Sequence, residues 1–181
     1  IGRKLNKNLL LLDGAMGTEL LHRGVNVSLP LWSTSAVEEA PEIVEQIHRD
    51  YVEAGADIIT TNTFRTTTRT FLKTGASPDC AMERAKTATK KAVQLAKRAA
   101  SDNILVAGSI STLEDCYSPE LFPGVDTAIK EFEEQGAWLL ENGVDLLLLE
   151  TMIREDETIA VLRVISNLGI PVWVSFCIKD E

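Results

Sequence analysis

Two carboxylates, an amide and a glycine-flanked turn stand where apolar runs of this sequence stop. Asp13 and Gly14 follow Leu9–Leu12, Asn62 and Thr63 follow 57–61, and Glu150 follows Asp145–Leu149. Brought together, Asp13 and Glu150 can bind an amino group or serve as acid and base. Taken singly, each can equally be read as the cap of a turn or a helix. Asp13-Gly14-Ala15-Met16-Gly17-Thr18 places two glycines directly after an apolar run. Their backbone N–H groups can face a carboxylate or phosphate without side-chain obstruction, or the segment can be a plain tight turn. It lacks the G-x-G-x-x-G dinucleotide spacing, and no P-loop Lys-Ser/Thr pair follows.

The elements that must position these groups repeat. Gly55-Ala-Asp-Ile-Ile-Thr-Thr-Asn62-Thr63 matches Gly143-Val-Asp-Leu-Leu-Leu-Leu-Glu150-Thr151 at a constant offset of 88 residues. Each copy reads as a helix end, a turn with Gly and Asp, a short buried strand, and one polar residue where the apolar run ends. Around them the chain alternates. Strands are expected at Leu9–Leu12, 57–61, 104–108, 145–149 and 172–176, and helices at 41–54, 81–100, 127–142 and 156–167. Pro41 suits a first helical turn, and Gly143 a C-terminal cap.

The strands are apolar throughout, as in parallel sheets covered on both faces. Two units in 88 residues give about 44 each, which fits a (β/α)8 TIM-type barrel with long loops, truncated here after about five strand–helix units. Residues 1–181 then form the N-terminal portion of one barrel domain. Active sites of such barrels lie at the C-terminal strand ends, so Asp13, Asn62, Ser109, Glu150 and Cys177 should share one rim.

Composition narrows the partners. A chain of 181 residues with 45% hydrophobic and 25% charged residues can bury a sizeable core. No apolar run approaches the roughly 20 residues of a membrane span, and Leu9–Leu12 is too short for a signal-peptide core, which makes the cytoplasm the default location. The net charge of −9 disfavours nucleic acid and leaves a small molecule as the expected partner. Basic residues of 81–100, Arg84 and Lys97 among them, read as a solvated helix face rather than an anion patch.

Cys80, Cys116 and Cys177 are odd in number and widely spaced, matching neither a disulfide framework nor a short zinc spacing. His48 should face solvent or neighbouring helices, while His22 could reach the rim through its loop. Trp32 either covers the pocket mouth or anchors its loop.

The segments Leu11-Leu-Asp-Gly-Ala-Met-Gly-Thr-Glu-Leu20, Ala40-Pro-Glu, His48-Arg-Asp-Tyr-Val-Glu-Ala-Gly-Ala-Asp57, Thr60-Thr-Asn-Thr-Phe64, Ala107-Gly-Ser-Ile110 and Leu149-Glu-Thr-Met152 resemble, in order, signatures of the homocysteine S-methyltransferase family. The resemblance implies a (β/α)8 barrel that moves a methyl group onto the homocysteine sulfur to give methionine, with one zinc ion held by three cysteine thiolates. It implies that backbone N–H groups at Gly14, Ala15 and Met16 take the substrate carboxylate, that Glu150 with Asp13 takes the ammonium group, and that Asn62 and Thr63 line the same pocket.

The family's zinc cysteines follow its sixth and eighth strands, and none of the three cysteines here matches those motifs. Zinc is therefore expected in the complete family domain, with its ligands absent from this chain. Five strands would leave two sheet edges open, so a missing C-terminal segment or a homo-oligomer is expected to cover them. Two functions follow: the amino-acid-binding half of a methyltransferase, or a non-catalytic truncated barrel that binds an amino acid or a partner subunit. Betaine, S-methylmethionine, S-adenosylmethionine and methyl-cobalamin all serve the family as donors, and the residues do not choose among them.

Overall fold

A computed structural model describes residues 9–178, so the ends of the domain expected over 1–181 lie outside the described residues. Both copies of the repeat fold alike. α3 (Pro41–Glu53) runs to Gly55, and α6 (Val125–Glu141) runs to Gly143. The two glycines take φ of 103° and 75°, where a side chain would be strained, and each N–H closes the helix on a carbonyl three residues back.

The aspartate that follows turns the chain into a strand and clamps the preceding segment. Asp57 accepts from the Leu11 N–H at 3.1 Å through its carboxylate and donates its own N–H to the Leu11 carbonyl at 2.8 Å. Asp145 treats Val106 identically, at 2.8 Å for both bonds. Lys97 adds a hydrogen bond to the Gly143 carbonyl.

The strands are β1 (Ile58–Thr60), β2 (Leu105–Ile110), β3 (Leu146–Met152) and β4 (Val172–Phe176). They pair in parallel in the order β1-β2-β3-β4. α5 (Pro78–Ala99), α6 and α7 (Glu155–Ile165) make the crossovers. Each strand lies beside its predecessor with no reversal of order, which is the winding of a (β/α) barrel wall rather than of a doubly wound sheet.

Side-chain alternation divides the core. Ile59, Val106, Leu147 and Leu149 pack outward with Val93, Phe132, Leu139 and Val161 of the helices. Ile58, Leu105, Ala107, Leu146 and Leu148 form a smaller cluster on the other face. The basic residues of α5 are a solvated, paired face: Arg84 meets Glu38, Lys86 meets Glu141 and Arg98 meets Glu45. No helix among the described residues is long and apolar enough to cross a membrane.

Several boundaries and two larger expectations need correction. The strand expected at Leu9–Leu12 shrinks to a single parallel bridge, Leu12 to Ile58. Only one side of this segment has a partner among the described residues, and Leu9, Leu11 and Leu12 are exposed. Coverage of both faces holds for β2, which is buried along its length, but fails for β4, where Val174 and Phe176 are exposed. Three short helices were not anticipated: α1 (Met16–His22), α2 (Ser35–Glu39) and α4 (Thr68–Leu72).

Candidate functional site

The C-terminal ends of β1 and β3, the Asp13 segment and the loop of Trp32 and Ser33 line a cavity of about 370 Å³. Asp13, Gly14, Ala15, Met16, Asn62 and Glu150 all line it, joined by Leu12, Gly17, Trp32, Ser33, Thr60, Thr61, Phe64 and Leu148. Two of these side chains are acidic and none is basic.

Asp13 leaves the first segment beside β1. The Thr60 N–H (2.7 Å) and hydroxyl (2.8 Å) both donate to its carboxylate. Burial nonetheless pushes the Asp13 carboxyl up to about 6; Glu150 adds to the rise, and the two Thr60 bonds oppose it. Glu150 is half-buried on β3 and accepts a hydrogen bond from the Ser109 hydroxyl. Burial raises its pKa as well, against the lowering effect of that bond.

The backbone next to Glu150 is strained. Thr151 takes φ of 57°, an unusual conformation for a β-branched residue, at a register shift between Leu149 and Met152. Such irregularities re-aim side chains at strand ends and cluster at functional sites.

Asn62 is buried and has both ends of its amide satisfied by one residue. It accepts from the Ser33 hydroxyl at 2.7 Å and donates to the Ser33 carbonyl at 2.8 Å. The loop that carries Trp32 and Ser33 is thereby tied to the end of β1. Trp32 has φ of 51° and lines the cavity, so of the two roles open to it, covering the pocket fits its position.

Thr63 corrects an expectation: it is buried and does not line the cavity. Its hydroxyl donates to the Ser109 carbonyl at 2.7 Å, while the Thr61 hydroxyl accepts from the Ser109 N–H at 3.0 Å. The two hydroxyls are 2.7 Å apart. Ser109 is thus held by its backbone from the segment that follows β1 and presents its hydroxyl to Glu150. It does not line the cavity itself.

The glycines of the Asp13 segment also admit two aromatic rings. A Cβ on Gly14 would come within 2.8 Å of the Tyr51 hydroxyl, and one on Gly17 within 2.8 Å of the Trp32 indole nitrogen. Neither has positive φ. Close approach of two aromatic rings, rather than backbone freedom, excludes a side chain at both.

Cys177 follows β4 and donates its N–H to the Met152 carbonyl, but it does not line the cavity. Cys80 lies exposed in the first turn of α5. Cys116 lies in the loop after β2, its thiol pushed up chiefly by burial. Among the described residues no three His, Cys, Asp or Glu side chains gather to hold a metal. With only carboxylates, hydroxyls and an amide at the cavity, the donor set does not fit a structural or thiolate-bound zinc ion.

His22 is exposed near Glu19, away from the cavity. His48 is fully buried, so of the two surroundings expected for it, solvent is excluded. Neither ring nitrogen has a partner among the described residues, and burial pushes its pKa down to about 4.

Sequence reasoning missed Leu12, Ser33, Thr60, Thr61, Phe64 and Leu148 as lining residues. A period-2 signal was available for Leu148, which forms with Glu150 an i, i+2 pair facing one way on β3, but not at 60–62, where Thr60, Thr61 and Asn62 line the cavity in succession. Ser33 had no such signal, because a loop far along the chain brings it in.

Known proteins of the same architecture place this chain in a family. The chain is 31% identical to homocysteine S-methyltransferase 3 of Zea mays, over 94% of this chain and 56% of the relative. It is 29% identical to selenocysteine methyltransferase of Astragalus bisulcatus, over 92% of this chain and 58% of the relative. The crystal structure of the metallated form of the homocysteine methyltransferase MmuM from Escherichia coli superposes with a TM-score of 0.85 at 29% identity, over 97% of this chain and 65% of that one. The chain therefore spans somewhat more than half the length of the curated relatives it matches. The family model for homocysteine S-methyltransferase matches residues 10–181, and the chain belongs to that family.

Proposed function

We propose that this chain forms the amino-acid-binding half of a homocysteine S-methyltransferase. The observation that carries the reading is the convergence of Asp13, Glu150 and the Gly14–Met16 backbone on one cavity whose described lining residues include no basic side chain. Burial raises the pKa of both carboxyls against the hydrogen bonds from Thr60 and Ser109, so each charge is costly without a countercharge. The ammonium group of an amino acid seated between them supplies the missing countercharge and makes charge-assisted hydrogen bonds. Backbone N–H groups at Gly14, Ala15 and Met16 take the carboxylate. Asn62, locked by Ser33, orients the ligand, and Leu12, Phe64, Leu148 and Trp32 give its apolar carbons a dry wall.

In the reaction so proposed, a methyl group passes from a donor to the ligand's thiol, giving methionine from homocysteine. The task of these residues is to fix the amino acid by its two charged ends so that the sulfur is held in one direction. Thiolate activation lies with groups other than the cysteines described here.

Calorimetric titration of the full chain with L-homocysteine tests the reading. Binding is expected, and Glu150→Gln, which keeps the side chain's shape, should weaken it about 30-fold by removing one charge-assisted contact. An affinity unchanged by that substitution would refute the assignment.

A further inference from the structure

Where β1 ends, its pairing with β2 passes from backbone groups to threonine hydroxyls. The Thr61 N–H still reaches the Ala107 carbonyl at 2.9 Å. Beyond it, the Ser109 N–H donates to the Thr61 hydroxyl at 3.0 Å, and the Ser109 carbonyl accepts from the Thr63 hydroxyl at 2.7 Å. Each hydroxyl has one proton to give. That of Thr63 is spent on Ser109, so across the 2.7 Å contact between the two threonines Thr61 is the donor. Three hydrogen bonds thus run in one sense around a closed ring that begins and ends on the backbone of Ser109.

The Ser109 side chain stands outside the ring. It is fully buried, and its hydroxyl donates to Glu150 Oε1 on β3. We propose that Ser109 is a positioning residue: held by the threonine ring, it occupies one oxygen of Glu150 and so fixes the other toward the cavity, where it meets the ammonium group of the ligand. The proposal rests on the amino-acid reading above and names the groups that aim its carboxylate. β2 and β4, on either side of β3, carry no titratable side chain, and Asp13 is the other carboxylate at the cavity. The bond from Ser109 opposes the rise that burial imposes on the Glu150 pKa. Without it, the carboxyl takes up a proton at higher pH and turns freely about its last torsion.

NMR of the full chain with carboxyl-labelled glutamate, Glu150 being assigned through Glu150→Gln, follows its titration apart from that of Asp13. Ser109→Ala removes a hydroxyl and leaves the backbone ring intact; it should move the Glu150 midpoint up by about one pH unit. Thr63→Val, which opens the ring but keeps the Ser109 hydroxyl, should move it in the same direction by less. Calorimetry with L-homocysteine should show a loss for Ser109→Ala that is small at pH 8 and grows to about tenfold below the midpoint of the unsubstituted chain. A weakening equal at every pH would reveal a general loosening of the site and overturn the proposal, as would an unmoved Glu150 titration in Ser109→Ala. A shift in Ser109→Ala with none in Thr63→Val would overturn the part assigned to the ring. If the unsubstituted chain binds no homocysteine, the amino-acid reading fails and the proposal with it. That outcome is distinct from a failure confined to the variants.

Discussion

The two copies of the repeat share a backbone plan and part at their last two residues. In the first, Asn62 and Thr63 are buried and hydrogen-bonded, one with Ser33 and the other with Ser109. In the second, Glu150 is half-buried and accepts from the Ser109 hydroxyl, and Thr151 is held in a left-handed conformation. The difference separates two tasks. The first copy builds a rigid support, whereas the second presents a reactive charge on a strained strand end. They are not independent, because Thr61 and Thr63 of the first hold the Ser109 backbone whose hydroxyl reaches Glu150 of the second.

Exchanging the two chemistries should break the contrast most strongly. Asn62→Asp places a carboxylate against the Ser33 carbonyl in a buried site and removes the donor that satisfied it. A stability loss of about 3 kcal/mol is expected in urea titrations at pH 7. A loss below about 1 kcal/mol would show that the first copy is no more rigid than the second.

Acid should separate the copies almost as well, since α3, which leads into the first, carries His48, and α6, which leads into the second, carries no histidine. The folded pKa of His48 is about 4 against an ordinary 6.5. Above 6.5 the ring is neutral in both folded and unfolded chains and costs nothing. As pH falls from 6.5 toward 4, the unfolded chain takes up a proton that the folded one refuses. Stability then drops by about 1.4 kcal/mol per pH unit, some 3 kcal/mol in all. His48→Leu should flatten that limb, and hydrogen exchange at pH 5 should open 55–63 before 143–151.

The finest test substitutes the same position in both copies. Thr63→Gly removes the bond to Ser109 and leaves a buried gap, at a cost of about 2 kcal/mol. Thr151→Gly relieves the left-handed strain and should raise stability by up to about 1 kcal/mol. Thermal melts that shift in the same direction for both would erase the distinction.

Much of this was legible before any coordinates. Buried parallel strands are continuous apolar runs, so β1 to β4 could be located, and long amphipathic helices such as α5 announce themselves over many turns. α1, α2 and α4 are five to seven residues long, too short for a helical period to emerge from composition. At the site, Asp13, Asn62 and Glu150 could be read as strand-end residues. What Gly14 and Gly17 do could not, because the reason for each is an aromatic ring 37 or 15 residues further along the chain. Thr63 misled for a related reason: its hydroxyl is taken up by the Ser109 carbonyl, 46 residues along the chain, which no local pattern reveals. The Leu9–Leu12 run had the composition of a strand, but pairing requires a neighbour, and only Leu11 to Asp13 find one.

Asp57 and Asp145 each extend their carboxylates to a segment that precedes them in the chain, Leu11 in one case and Val106 in the other. A polypeptide leaving the ribosome therefore already has the partner in hand when each aspartate emerges. Alignment of a strand can be fixed as soon as its own unit is complete, without waiting for the units still to come. Lengthening the wall by one more unit then leaves undisturbed every alignment already made.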